Sequence, residues 1–165
     1  MPRRRQPRKM NKRVYLANCL GFCSGNNNNL TQIVGKLETA GFTVFEPFSA
    51  ATAANAQQQA AESAGRAERI FHQNIEEMEM CDLVVALLDG NGMSVDDGVA
   101  FEMGFCYAKK KPVYGIRSDM RTCEFDLPVN LQLFYACASL DGQERRLFPS
   151  VEALISALRQ EKRAV

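Results

Sequence analysis

The chain has little from which a metal site could be built. It holds one histidine, His72, in 165 residues, and its six cysteines (Cys19, Cys23, Cys81, Cys106, Cys123 and Cys137) form no C-x-x-C pair. A zinc site is therefore not expected, nor any other bound metal. Several of these cysteines lie in apolar runs and read as buried, reduced thiols of a cytoplasmic protein. No apolar run approaches the ~20 residues of a membrane span. No apolar segment follows the first basic residues, so a secretory signal is not expected either. There is no internal repeat, no G-x-G-x-x-G and no P-loop, which leaves a dinucleotide site without its usual motif. The first 13 residues contain no acid but hold seven of the 20 Lys and Arg: Arg3, Arg4, Arg5, Arg8, Lys9, Lys12 and Arg13. Without those seven charges the formal net charge falls from +1 to −6. Residues 1–12 read as a disordered basic tail, and residues 13–165 as one acidic domain whose main partner is not nucleic acid.

The central feature present is the stretch from Cys81 to Ala108, C-D-L-V-V-A-L-L-D-G-N-G-M-S-V-D-D-G-V-A-F-E-M-G-F-C-Y-A. Asp82 to Leu88 is an unbroken apolar run, the pattern of a strand covered on both faces. A glycine-rich loop with Asp89, Asp96 and Asp97 follows. A helix then starts with Asp96 or Asp97 as its cap. Four more strands are expected, at Val14 to Asn18, Gly41 to Phe48, Pro112 to Ile116 and Phe134 to Ala138. Helices are expected at Leu30 to Ala40 (with Gly41 as C-cap), Arg66 to Met80 and Val151 to Leu158. Ala50 to Ala64 reads as a loosely packed helix or a mobile lid, broken at Gly65, and Leu127 to Leu133 as a loop or short helix. Lys109, Lys110 and Lys111 complement a helix C-terminus. Strands alternating with helices predict a single-domain α/β fold, a doubly wound five-stranded parallel sheet of flavodoxin-like, three-layer α/β/α architecture.

In such sheets ligands bind at the carboxyl ends of the strands. The order of elements puts Asp89, Asp96, Asp97 and Glu102 there. Glu102 sits among Phe101, Met103 and Phe105 near a helix N-terminus, where its charge is favoured. A carboxylate so placed suits glycosyl transfer with retention: it attacks the anomeric carbon, holds the sugar covalently and releases it to a second acceptor. The alternative for the acids is ordinary capping of a solvated helix start.

The block D-D-G-V-A-F-E-M-G-F-C-Y-A, followed by K-K-P-V-Y-G-I-R-S-D-M-R and preceded by V-Y-L-A near the start of the chain, resembles the nucleoside 2-deoxyribosyltransferase family over roughly Arg13 to Ala138. The resemblance implies transfer of a 2-deoxyribosyl group between nucleobases of 2′-deoxyribonucleosides, in nucleoside salvage, with slow hydrolysis as a side reaction and no cofactor. It implies Glu102 as nucleophile, oriented by Tyr15, with Asp96 on the deoxyribose hydroxyls and Asp97 and Gly98 beside it in the same motif. Asn130 matches an asparagine that reaches the 5′-hydroxyl in a neighbouring subunit's site, which implies a homo-oligomer, at least a dimer. One branch of the family has an acid on the helix before the third strand, at the position of Asn74. Without an acid there, Asp89 is expected to protonate the leaving base, with Asp119 a second candidate at the same edge. Two other readings belong to the same fold: an N-glycosidase of 2′-deoxynucleoside 5′-monophosphates, and a non-catalytic nucleotide-binding module.

Overall fold

A computed structural model of the chain describes residues 12–22, 27–49, 63–90, 94–119, 121–137 and 146–161. The expected basic tail up to residue 11, Ala50 to Glu62 and Ala138 lie outside the described residues. The strands are β1 (Arg13–Ala17), β2 (Thr43–Phe45), β3 (Leu83–Leu87), β4 (Val113–Ile116) and β5 (Leu147–Phe148). The helices are α1 (Asn27–Thr39), α2 (Ser63–Met80), α3 (Asp97–Ala108), α4 (Leu131–Ala136) and α5 (Val151–Glu161), with short 3-10 segments at Leu20–Phe22 and Glu124–Asp126. All pairings are parallel and the strand order is β2-β1-β3-β4-β5, the flavodoxin-like order with its switch point between β1 and β3.

Side-chain alternation along the strands builds two cores. Val14, Leu16, Leu83, Val85, Leu87, Tyr114 and Ile116 face α1 and α5. Tyr15, Ala17, Val84, Ala86, Leu88 and Val113 face α2, α3 and α4. Every residue of β3 is buried, as its unbroken apolar run requires of a strand covered on both sides. Gly41 ends α1 with φ +94, its N–H donating to Glu38 O at 2.8 Å while the Phe42 N–H donates to Leu37 O at 3.2 Å. This paired closure needs a left-handed residue, and glycine adopts that conformation without a Cβ penalty. A Cβ on Gly115 would lie 2.8 Å from Leu88 Cδ1 and 2.9 Å from Cys137 Sγ, so its bare backbone lets the end of α4 settle on β4.

Three expectations change. Phe134 to Ala138 is not the fifth strand: Phe134 to Ala136 belong to α4, and Leu147–Phe148 pairs with β4 instead. Val129, Ala136 and Cys137 are buried with Leu133 packed against them, a helical spacing that aromatic and apolar residue types obscured. Gly65 does not break a helix but lies in the first turns of α2. Lys111 serves the preceding helix rather than its own: its Nζ donates to Glu79 O at 2.8 Å and Cys81 O at 2.7 Å, satisfying carbonyls at the end of α2.

Candidate active site

Tyr15 projects from the middle of β1 into the second core and is fully buried. Glu102 lies on the second turn of α3, the helix that follows β3. The two meet across the switch point: the Tyr15 hydroxyl donates to Glu102 Oε1 at 2.5 Å. The Phe45 ring stacks on Tyr15 with centroids 5.6 Å apart. Behind the pair the thiols of Cys81 and Cys106 hydrogen-bond each other, which pushes Cys106 up.

Glu102 opens onto a cavity of about 520 Å³ lined by α2 and the start of α3. Its walls are Ala67, Ile70, Phe71, Ile75, Met78 and Phe101, and among the described residues the only polar side chains in the lining are Glu102 and Asn74. The Phe71 and Phe101 rings approach to 6.3 Å and are about half exposed. Burial raises the Glu102 carboxyl to about 7, with the charges of Asp96 and Glu46 pushing the same way and the Tyr15 hydrogen bond pulling it down. Burial, then the Glu102 charge and hydrogen bond, push the Tyr15 phenol up. Tyr15 therefore stays a proton donor to the carboxylate while Glu102 changes state near neutral pH.

Asp96 is the N-cap of α3. Its Oδ1 accepts from Gly98 N at 2.9 Å and Val99 N at 3.2 Å, which leaves Oδ2 without a partner among the described residues. Asp97 and Gly98 form the exposed first turn, and Gly98 also lines the Glu102 cavity. Asp89 and Asp119 are engaged elsewhere. Asp89 accepts from Ser118 N at 2.9 Å and Asp119 N at 3.3 Å, with Arg117 Nε 3.8 Å away. These contacts tie the loop after β3 to the loop after β4. Asp119 is chelated by Arg121, at 2.5 Å to Nη2, and that hydrogen bonding holds its carboxyl well below the usual range. Neither residue contacts Glu102 or lines its cavity. The hydrogen bonding from Arg121 favours the ionised form of Asp119, the reverse of what a proton donor requires.

Asn130 caps α4, its Oδ1 accepting from Gln132 N at 2.9 Å and its Nδ2 donating to Glu124. It belongs to a different concavity, about 770 Å³, between α3 and α4, whose lining includes Asp97, Tyr107, Glu124 and Tyr135. Sequence reasoning did not single out Glu46, one charge in a strand end, F-E-P-F, although a carboxylate at a strand's carboxyl edge is itself a signal. Nor did it single out Phe71, which lines the cavity. Among the described residues no group of three or more His, Cys, Asp or Glu could hold a metal ion. No helix among them is long and apolar enough to cross a membrane.

A half-buried carboxylate held by a tyrosine at the switch point of a doubly wound sheet, open to an apolar cavity, defines an α/β enzyme of the flavodoxin-like class. The sequence profile described as Nucleoside 2-deoxyribosyltransferase matches residues 14–132. The chain belongs to the nucleoside 2-deoxyribosyltransferase family, a class of pentosyltransferases. Among solved structures, a 2-desoxiribosyltransferase from Leishmania mexicana superposes with a TM-score of 0.66 at 22% identity, covering 90% of this chain and 97% of that one. A conserved protein from Enterococcus faecalis V583 gives 0.64 at 22% identity, over 92% and 99% of the two chains. A 2-deoxyribosyltransferase from Bacillus psychrosaccharolyticus gives 0.59 at 22% identity, over 85% and 88%. A comparison with curated protein sequences finds no match.

Proposed function

We propose that the protein exchanges the base of 2′-deoxyribonucleosides through a covalent glycosyl–Glu102 intermediate. The observation that carries this reading is the Tyr15–Glu102 hydrogen bond at the mouth of an apolar cavity, in a chain of this family. The ionised Glu102 oxygen attacks C1′, and the C1′–N bond breaks with its electron pair going to the departing base, which takes up a proton from solvent. Tyr15 holds the carboxylate in line for that attack. In the second half the nitrogen lone pair of another base attacks C1′, the ester bond breaks with its electron pair returning to Glu102 as a carboxylate, and the base gives up its N–H proton to solvent. Water in place of that base gives slow hydrolysis.

Phe71 and Phe101 suit a planar base at the cavity mouth. Asn74 offers it hydrogen bonds from an amide, without a titratable proton. Asp96 Oδ2 is suited to the deoxyribose hydroxyls while Oδ1 caps α3. The Asp89 oxygens accept from the Ser118 and Asp119 amides and those of Asp119 from Arg121, so in this reading solvent supplies the leaving-group proton. The active unit in this reading is a homo-oligomer: Asn130 is on the α3–α4 side, beside exposed Tyr107 and Tyr135, and reaches a neighbour's site from there. The biological setting is nucleoside salvage. The test is base exchange, deoxyinosine or deoxyuridine with free adenine, comparing wild type with Glu102→Gln. Deoxyadenosine from the wild type alone supports transfer. Free base released only from a 5′-phosphorylated substrate contradicts it in favour of a hydrolase. Ligand binding without turnover favours a binding module.

A further inference from the structure

Glu46 is a buried carboxylate, 5% exposed, immediately beyond the carboxyl end of β2. Three N–H donors converge on it. Asn18 Nδ2 donates to Oε1 at 3.1 Å, Phe48 N to Oε1 at 2.9 Å and Ser49 N to Oε2 at 2.7 Å. Asn18, itself buried just past the end of β1, also donates to Leu16 O and accepts from Leu20 N, each at 3.1 Å. Glu46 thus locks together the carboxyl ends of two neighbouring strands. Its chain neighbour Phe45 pairs in register with Tyr15 and stacks on that ring. Among the described residues no cation is a partner of Glu46, and the donors that offset its charge there are amides, so the charge reaches further than in an ion pair.

We propose that Glu46 is a positioning residue for Glu102: it fixes the strand ends that buttress Tyr15, and its charge bears on the carboxylate that Tyr15 holds. The inference rests on the proposed role of Glu102. The groups acting on Glu102 are few. Tyr15 from β1 donates to it and favours its ionised form. Asp96 from the loop before α3 and Glu46 from the end of β2 oppose ionisation. Cys106, one turn on in α3, is a neutral thiol, and among the described residues α2 presents no charged group to the cavity, its one polar side chain there being the neutral amide of Asn74. Asp96 has a second role at the substrate. Glu46 does not line the cavity, so it acts on the reaction only through Glu102 and Tyr15.

The test compares Glu46→Gln with Glu46→Asp. Both disturb the three hydrogen bonds, but only the glutamine removes the charge. The acid limb of kcat/KM for base exchange should move down by about one pH unit in Glu46→Gln and stay near wild type in Glu46→Asp. A carboxyl-carbon NMR titration of Glu102 in the same proteins should move in parallel, whether or not base exchange occurs. If Glu46→Gln is less stable or slower but both the limb and the Glu102 titration stay in place, Glu46 is a structural cap and the proposal fails. If the titration moves while the wild type exchanges no base, the electrostatic link stands and the assigned reaction fails instead. Should Glu46→Gln not fold, Asn18→Ala, which removes one donor to Glu46 and keeps its charge, must leave the Glu102 titration near wild type; a downward shift of a full unit there contradicts the charge as its cause.

Discussion

A carboxyl group walled by hydrocarbon loses hydration, and Glu102 keeps its proton up to about pH 7 mainly for that reason. Two consequences follow at this one residue. Attack on C1′ needs the ionised form, so kcat/KM should rise with pH through about 7 and level off above it. The linkage to stability has the opposite sense. A carboxyl whose proton affinity rises on folding stabilises the fold fully below its unfolded value near 4.5, and that contribution is lost as the pH climbs through about 7. Glu102→Gln keeps an acceptor for Tyr15 and removes the charge. It should lower base exchange by a factor on the order of 10⁴ or more. It should also stabilise the fold at pH 8 by about 2 kcal/mol, roughly 5 °C in Tm, with no gain at pH 4. Thermal melts at the two pH values check this. Tyr15→Phe removes the hydrogen bond that favours the carboxylate. The acid limb should then move above pH 7, with the rate falling by about 10–10²-fold as Glu102 loses its fixed pose; a pH–rate profile reads both.

At the scale of elements, α4 is where residue chemistry and chain pattern disagreed. Phe134 and Tyr135 have strand-like preferences, and a strand was due at that point in the alternation. The decisive local feature is Asn130, whose side chain caps the helix and grips Glu124; with Val129, Ala136 and Cys137 buried, helix wins over propensity. Asn130→Ala should therefore cost about 1 kcal/mol, while Asn130→Ser, which can still cap, should cost a few tenths; chemical denaturation distinguishes them. By contrast β3 and α3 were legible directly. An unbroken apolar run admits only a two-sided strand, and D-D-G before an apolar stretch marks a helix start. Of the site, Glu102, Tyr15 and Asp96 were legible through the family motif, and the structure joins the first two by a hydrogen bond. Asp89 sits at a strand end, a position shared by catalytic and loop-tying acids alike. Only the nearby Ser118 and Asp119 amides, 29 and 30 residues away in the chain, distinguish the two.

For the whole molecule, the chain around β1 is tied to both neighbouring strands: the Lys12 carbonyl accepts Thr43 N at 3.0 Å, and the Arg13 amide donates to Asp82 at 2.7 Å. The active assembly makes a prediction at this scale. If Asn130 completes a neighbour's site, mixing Asn130→Ser with Glu102→Gln should give hybrid oligomers with one intact site, and activity of about a quarter of wild type from two proteins that are each nearly inactive. Size-exclusion mass measurement of the mixture shows whether hybrids form. No recovery in proven hybrids would return Asn130 to its own subunit, as the cap of α4 alone. The central claim rests on one bond, between a sugar carbon and Glu102. The most direct measurement is intact mass and peptide mapping of wild-type protein incubated with a 2′-deoxyribonucleoside and no acceptor base. The account predicts a deoxyribosyl adduct confined to the peptide carrying Glu102 and discharged by added adenine. Free base appearing at full rate with no adduct on that peptide would contradict it.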